Sequence, residues 1–185
     1  MKSGISFLAV AILLTGCNQA TDHSPVVPNA ITAAAYRSQV DALARSYGRG
    51  LLLVSVASES VDPQGRASKW AFEYADTAQP RKAYWFHVDS TGIGLDRISP
   101  MPVGAALISG KWFDSDSALA FAEQAGGELF RERNPGCHIT ASVGEPVVPD
   151  PATTWWIRYV SVDGAVATLL LGIDAATGAV NLVYP

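Results

Sequence analysis

The sequence predicts an α+β fold made of two tandem repeats, each with one helix packed on a four-stranded antiparallel sheet. Three observations lead to this prediction. Residues 68–98 match residues 153–183 at a constant offset of 85, so that Trp70 is aligned with Trp155. In each repeat, a helix-like segment precedes four strand-like apolar runs that turn residues separate. The connections between these runs are short, so we expect antiparallel pairing.

The elements follow from local patterns. Apolar residues recur at helical spacing over about Thr32–Tyr47, and glycines follow, which predicts the first helix there. The second helix begins at "DSDSALAFAEQAGG", where Asp114 or Ser115 can cap the first turn. The eight predicted strands are Leu51–Ser58, Lys69–Ala75, Ala83–Asp89, Ile93–Ile98, Cys137–Val143, Thr154–Val162, Val166–Asp174 and Ala179–Tyr184.

The first residues predict export. Residues 1–16, "MKSGISFLAVAILLTG", join a positive charge to an apolar stretch too short to cross a bilayer as a helix. The adjoining "LLTGC" resembles the lipobox of bacterial lipoproteins, which implies cleavage before Cys17 and lipid, including palmitate, on that residue. A secretory signal with a chance cysteine is the alternative. Asn18, rather than Asp, follows the cysteine, which implies the periplasmic face of the outer membrane.

The predicted mature chain has three parts. Residues 17–30 are the lipidated cysteine and a polar, proline-containing tether. Residues 31–100 form the first repeat and residues 101–185 the second. The full sequence has a net charge of −4, and no basic stripe or aromatic-plus-basic cluster is present, so nucleic acid is not an expected partner.

Residue types that could support catalysis are few. Asp89 and Asp174 occupy the same joint between the third and fourth strands of the two repeats, in "DSTG" and "DAATG", and are interpreted as turn corners. Cys137 and His138 are neighbours in a strand, so their side chains point to opposite faces, and Cys137 is expected to be buried. His87 is expected on the surface. No catalytic residue, cofactor or enzyme activity is predicted.

A metal site is not predicted either. The run "DSDS" from Asp114 is similar to the start of a calcium-binding loop. Such a loop needs a glycine at its sixth position and a glutamate at its twelfth, where this chain has Leu119 and Ala125. Capping of a helix is therefore the favoured interpretation of this run.

The second repeat resembles the PepSY family, named for the propeptides of some secreted metallopeptidases. The similarity lies in "WFDSDSALAFAEQAGG", "WWIRYVSV" and "GIDAATGAV" and covers about Trp112 to Tyr184. The first repeat matches only through the internal repeat, and its "DSTGIGLDRI" lacks the valine after Thr-Gly. The resemblance implies a PepSY- or cystatin-like fold and a role in inhibiting or chaperoning peptidases, or in sensing ligands. It transfers no catalytic residue.

Strand alternation predicts which face of each sheet is apolar. Twelve positions are assigned to the cores under the helices: Trp70, Phe72, Tyr74, Tyr84, Phe86, Val88, Trp155, Ile157, Tyr159, Leu169, Leu171 and Ile173. Trp85, Trp156 and Leu170 fall on the opposite, mostly polar face. Either these opposite faces pack on each other and join the repeats, or the three residues are anchors for a partner.

These features favour binding over catalysis. We expect an envelope-anchored lipoprotein that holds a protein or peptide partner in the periplasm, for example as an inhibitor or immunity protein for a hydrolase. Its contact with the membrane is the lipid on Cys17. The alternative is a structural accessory lipoprotein of an outer-membrane assembly or secretion complex.

We expect Cys17→Ser to abolish lipidation and to slow removal of the signal, because the hydroxyl does not replace the thiol that carries the lipid. Growth of cells with labelled palmitate, followed by isolation of the protein, measures this directly. The wild type should carry the label and the variant should not. Equal labelling of both proteins would contradict the lipoprotein prediction.

Overall fold

The computed structural model describes residues 29–79, 82–101, 107–108, 111–144, 153–162 and 167–184. Of these, residues 182–184 are described by their backbone only. The predicted signal, the predicted lipidation site at Cys17 and most of the predicted tether lie outside these residues. The domain that follows them is an α+β fold, as predicted.

The described residues contain three helical segments and eight strands. The helices are α1 (Arg37–Tyr47), α2 (Ser115–Ala122) and α3 (Glu128–Arg133), and the wide turn Glu123–Gly127 joins the last two. The strands are β1 (Leu51–Ser58), β2 (Lys69–Asp76), β3 (Lys82–Asp89), β4 (Gly92–Pro100), β5 (His138–Val143), β6 (Thr154–Val160), β7 (Thr168–Asp174) and β8 (Val180–Tyr184). All eight predicted strands are present, with ends within a few residues of those predicted.

The eight strands form one antiparallel sheet in the order β4-β3-β2-β1-β5-β6-β7-β8. The prediction of two tandem repeats with a four-stranded sheet each is therefore wrong. The physical reason is that β1 and β5 would each end a separate sheet with a row of unpaired backbone groups. By pairing with each other they satisfy those groups.

The junction of β1 and β5 is short. It contains three residue pairs, beginning with Val56 opposite Val143. Next to these pairs, Ile108 donates its backbone N–H to the carbonyl of Leu53 over 2.9 Å. Gly144 has φ +109°, and a Cβ there would lie 2.1 Å from the Val54 carbonyl oxygen, so only glycine fits this close approach. The backbone bond from Ile108 thus adds to the junction beside its three residue pairs.

One hydrophobic core lies between the sheet and the helices. All twelve core positions predicted from strand alternation are buried, which confirms the strand register. At the centre, the rings of Trp70 and Trp155 meet edge to face, with centroids 6.4 Å apart. Their indole N–H groups donate to the carbonyls of Ile31 (2.8 Å) and Phe113 (3.0 Å). The core therefore continues across the boundary between residues 31–100 and 101–185.

Capping at the start of α2 is confirmed. The carboxylate of Asp114 accepts hydrogen bonds from the backbone N–H of Ser115 (2.7 Å) and from that of Ala34 (2.8 Å). The Ser115 hydroxyl, fully buried, donates to the carbonyl of Gly65 (2.6 Å) and accepts from the N–H of Ala33 (2.9 Å). The cap thus binds the segment before α1 as well as its own helix.

This cap explains where α1 begins. The sequence predicts a helix from about Thr32, whereas the helix begins at Arg37. The amides of Ala33 and Ala34 bond to side chains at the start of α2, so the backbone there forms turns before the helix. A contact between distant parts of the chain overrides the local helical pattern.

Buried tyrosines hold both helices to the sheet. The Tyr74 hydroxyl donates to Asp41 of α1 over 2.5 Å, and the Tyr159 hydroxyl donates to Glu123 after α2 over 2.8 Å. Arg131 of α3 also donates to Glu123, with 3.0 Å from Nε to Oε2. Burial, and then the bond to each carboxylate, raises the pKa of both tyrosines above the ordinary value. The phenols therefore stay protonated and act as donors.

The bend between α2 and α3 lets one of these bonds form. Gly126 has φ +126°, which turns the chain between the two helices. At Gly127, a Cβ would lie 2.3 Å from the Tyr159 hydroxyl oxygen. The pair of glycines thus allows the phenol to pass under the turn and reach its carboxylate.

We expect Trp70→Ala to lower the free energy of unfolding by about 3–5 kcal/mol, because it removes a fully buried indole and its hydrogen bond. Urea unfolding measures this. The matched control is Trp85→Ala, which truncates a half-buried indole on the opposite face of the same sheet and should cost clearly less. Equal losses in the two variants would contradict the central position of Trp70.

Candidate functional site

The side of the sheet opposite the helices, called here the helix-free face, is the candidate binding surface. Trp85 on β3, Trp156 on β6 and Leu170 on β7 all point to this side, as predicted, and all three are half-buried. The helices lie on the other face of the sheet, where Tyr74 bonds to Asp41 of α1 and Tyr159 bonds to Glu123 after α2. The two halves of the helix-free face are thus neighbours on one surface. Of the two alternatives from the sequence, packing of one of these faces against the other does not occur, because both belong to one continuous sheet.

The three predicted anchors do not form one cluster. The strands β3 and β6 are four positions apart in the sheet, which is about 19 Å at the usual strand spacing. Trp156 and Leu170, in contrast, lie on adjacent strands, and Leu170 is opposite Arg158. Trp156 and Leu170 therefore belong to one site and Trp85 to another.

The site around Trp156 is a shallow groove of about 370 Å³. The groove, called here the Trp156 groove, is lined by Thr140, Ser142, Trp156, Arg158 and Leu170. In the register, Trp156 lies between Ser142 on β5 and Gly172 on β7, so small residues flank the indole on both sides. Large aromatic and aliphatic groups beside hydroxyls and a guanidinium are typical of surfaces that bind proteins and peptides.

Trp85 is satisfied within the fold. Its indole N–H donates to the Ser99 hydroxyl over 3.0 Å, and the Arg97 guanidinium lies over the ring, 4.5 Å from its centroid. This cation–π stacking covers the ring with a residue of the chain itself. Of the predicted candidates, Trp156 and Leu170 are the two that line the groove.

A cluster of polar and charged side chains on the same face was not predicted from the sequence. The imidazole Nδ1 of His87 lies 2.6 Å from Asp96 Oδ1, and Lys69 Nζ lies 3.4 Å from Asp96 Oδ2. The pairing of β3 with β4 shifts between Trp85 and its neighbour, so Asp96 is an additional residue there. Alternation alone does not indicate such a bulge. The partner of His87 was therefore not predictable, and His87 is half-buried rather than a simple surface residue.

A second groove lies on the helical side, between α3 and the start of β7. Its volume is about 400 Å³, and Leu129, at its rim, is 48% exposed. The lining residues are Gly126, Leu129, Phe130, Arg133, Ala167, Thr168 and Leu169. The sequence did not indicate this groove, because it depends on the bend at Gly126.

The two corner carboxylates belong to turns, as predicted. Asp89 accepts hydrogen bonds from the N–H (2.8 Å) and hydroxyl (2.6 Å) of Thr91. Asp174 accepts from Thr177 in the same two ways and also from the N–H of Ala176. The bond from the threonine hydroxyl is the main cause that lowers the pKa of each aspartate. Both carboxylates are thereby fixed as ionised turn caps.

The Cys137–His138 pair is divided between two faces. His138 is exposed, whereas Cys137 is half-buried and packs against the core. Burial raises the pKa of the Cys137 thiol, although the positive charge of Arg131 acts in the opposite direction. The expectation of full burial is thus met only in part. The arrangement does not place the imidazole beside the sulfur.

Comparison with models of protein families, with curated proteins and with solved structures finds no match for this chain. The resemblance to PepSY domains therefore stays a prediction. Within the described residues, no group of three or more His, Cys, Asp or Glu side chains is placed to hold a metal ion. The helices among them are too short or too polar to span a membrane.

We expect alkylation of Cys137 to be slower in the native protein than in denaturant, because the thiolate is the reactive form and the raised pKa keeps it scarce. The rate should rise only at a pH above that at which an exposed thiol ionises. Iodoacetamide labelling over a pH series, read by mass spectrometry, measures this in a Cys17→Ser background, where Cys137 is the remaining cysteine. A native midpoint below that of an exposed thiol would contradict this expectation.

Proposed function

We propose that this chain is a non-catalytic lipoprotein that binds a protein or peptide partner in the bacterial periplasm. A lipid on Cys17 holds it at the periplasmic face of the outer membrane, and the partner docks at the Trp156 groove. One observation carries the proposal. A half-buried tryptophan and leucine line an open groove on the one face of the sheet that no described helix covers.

The groove is suited to protein recognition for two reasons. Tryptophan and arginine are the residues most often dominant in binding energy at protein interfaces, and both line it. It is also built on β5, β6 and β7, in the middle of a continuous antiparallel sheet. A surface held by paired strands on both sides is rigid, so little conformational entropy is lost when a partner binds.

The predicted anchor agrees with such a role. A lipid on Cys17 and a tether up to about residue 30 would hold the domain near the membrane while leaving the helix-free face of the sheet accessible. An inhibitor or immunity protein for a periplasmic hydrolase fits this arrangement. Such a protein needs an accessible, rigid binding face and no catalytic groups of its own.

A second candidate function is structural, as an accessory lipoprotein of an outer-membrane assembly or a secretion complex. The ends of the sheet favour it. In the described part of the chain, β4 and β8 each pair with one strand only, so each has a backbone edge that a strand of another protein can join. In this case the partner would meet the edge and not the groove.

We expect Trp156→Ala to weaken partner capture by about 2 kcal/mol or more while leaving the melting temperature close to that of the wild type, because the indole is half-buried. Cross-linking in envelopes, recovery of the lipoprotein and mass spectrometry of its partner measure capture. Trp85→Ala is the matched control and should capture normally. A hydrolase as partner supports the inhibitor role, and a barrel or secretion component supports the accessory role. Normal capture by Trp156→Ala would contradict docking at the groove.

A further inference from the structure

We propose that the Trp156 groove receives an acidic side chain of an extended peptide segment, and that Arg158 and Thr140 donate hydrogen bonds to its carboxylate. This inference rests on the proposed function and names the chemistry of the partner. The bound peptide is expected to contain an Asp or Glu side chain two residues away from an apolar or aromatic side chain. Three observations on the helix-free face support it.

The first observation is a carboxylate site of the chain itself. On the helix-free face of the first half of the sheet, Ser55 of β1 is opposite Glu73 of β2, and both are buried. The Ser55 hydroxyl donates to Glu73 Oε2 over 3.1 Å. At this place the sheet thus holds a carboxylate against a hydroxyl of the neighbouring strand.

The second observation is that the corresponding place in the second half has the opposite charge. At the offset of 85 residues, Ser55 corresponds to Thr140 and Glu73 to Arg158, and these two are again opposite each other, on β5 and β6. The hydroxyl is retained, but a guanidinium takes the place of the carboxylate. Arg158 is exposed, in contrast to the buried Glu73. The second half therefore has two groups that can donate at this place and lacks the carboxylate.

The third observation concerns charge. The chain has a net charge of −4, yet Arg158 forms no ion pair with another residue of the described ranges. Arg97, the arginine on the other half of the same face, is instead stacked on Trp85. A guanidinium binds a carboxylate with two parallel hydrogen bonds, which makes an acidic group its most favourable partner.

The groove also fixes the spacing of the peptide. Trp156 lies two residues from Arg158 on β6, about 7 Å along the strand, and Leu170 is opposite Arg158 on β7. Side chains two residues apart in an extended peptide lie on the same side and are separated by the same distance. When the acidic side chain is at Arg158 and Thr140, the side chain two residues away is over the indole.

Selection from a displayed library of short random peptides tests this. The full-length protein, purified in detergent, is the bait, and the peptides are fused through their C-termini so that side chains supply their only carboxylates. We expect the wild type to select peptides with Asp or Glu two residues from an apolar or aromatic residue. Arg158→Gln should bind these peptides about tenfold or more weakly, because one charged hydrogen-bonding partner is lost.

Two further variants separate the charge from the fold. Arg158→Lys should retain part of the binding through its charge, and Arg97→Gln, which changes the other arginine of this face, should bind as the wild type does. Melting temperatures establish that the four proteins fold alike. Selection of peptides without acidic enrichment, failure to select any peptide, or unchanged binding by Arg158→Gln would each overturn the inference.

The result can be distinguished from the failure of the proposed function. If Trp156→Ala loses capture in envelopes while Arg158→Gln retains it, the groove binds a partner but not through a carboxylate, and the inference alone fails. If neither variant loses capture, the groove is not the docking site and both fail. Shifts of the Trp156 indole signal in NMR spectra with chitotriose, and none with the acidic peptides, would identify a glycan site and also overturn the inference.

Discussion

The edge-to-face contact between Trp70 and Trp155 is the interaction on which the rest of the domain depends. It lies where the two halves of the sheet meet, and both indoles are fully buried. The backbone junction of β1 and β5 has only three residue pairs, so it is too short to define the relation of the halves alone. Burial of two large aromatic rings against each other adds the apolar contact that keeps the sheet continuous. Because both indoles lie on the same face of this sheet, the helices that cover them share one side.

The helices are fixed by polar groups that have little freedom. The cap at Asp114 and Ser115 bonds to amides that precede α1, so the starts of the two helices are tied together. From within the core, the hydroxyl of Tyr74 bonds to Asp41 of α1 and that of Tyr159 bonds to Glu123, which follows α2. A buried phenol without a partner would be costly, so each tyrosine specifies where its helix lies. This network is directed entirely to the helical side of the sheet.

None of these bonds involves the helix-free face. The two halves of that face differ in the charges that they carry. In the first half, charged groups find partners within the chain: Glu73 with Ser55, and Arg97 with the ring of Trp85. In the second half, Arg158 is exposed beside Trp156 in an open groove. The two halves of this face are thus similar in register but different in charge. We base the proposed acidic ligand on this difference.

The sequence by itself determined the strands and which residues of each strand are on the buried face. Alternation is a local property with a period of two residues, so Trp155 could be placed in the core without any knowledge of its neighbours. The turn carboxylates and the helix cap were predictable for the same reason, since their bonds join residues close in the chain. Only the tertiary structure decided that the sheet is continuous, because β1 and β5 pair through backbone groups that every residue has and that no side-chain pattern encodes. The tertiary structure also decided the bulge that brings Asp96 to His87. It likewise decided that Arg158 is exposed, whereas Glu73, at the corresponding position of the first half, is buried.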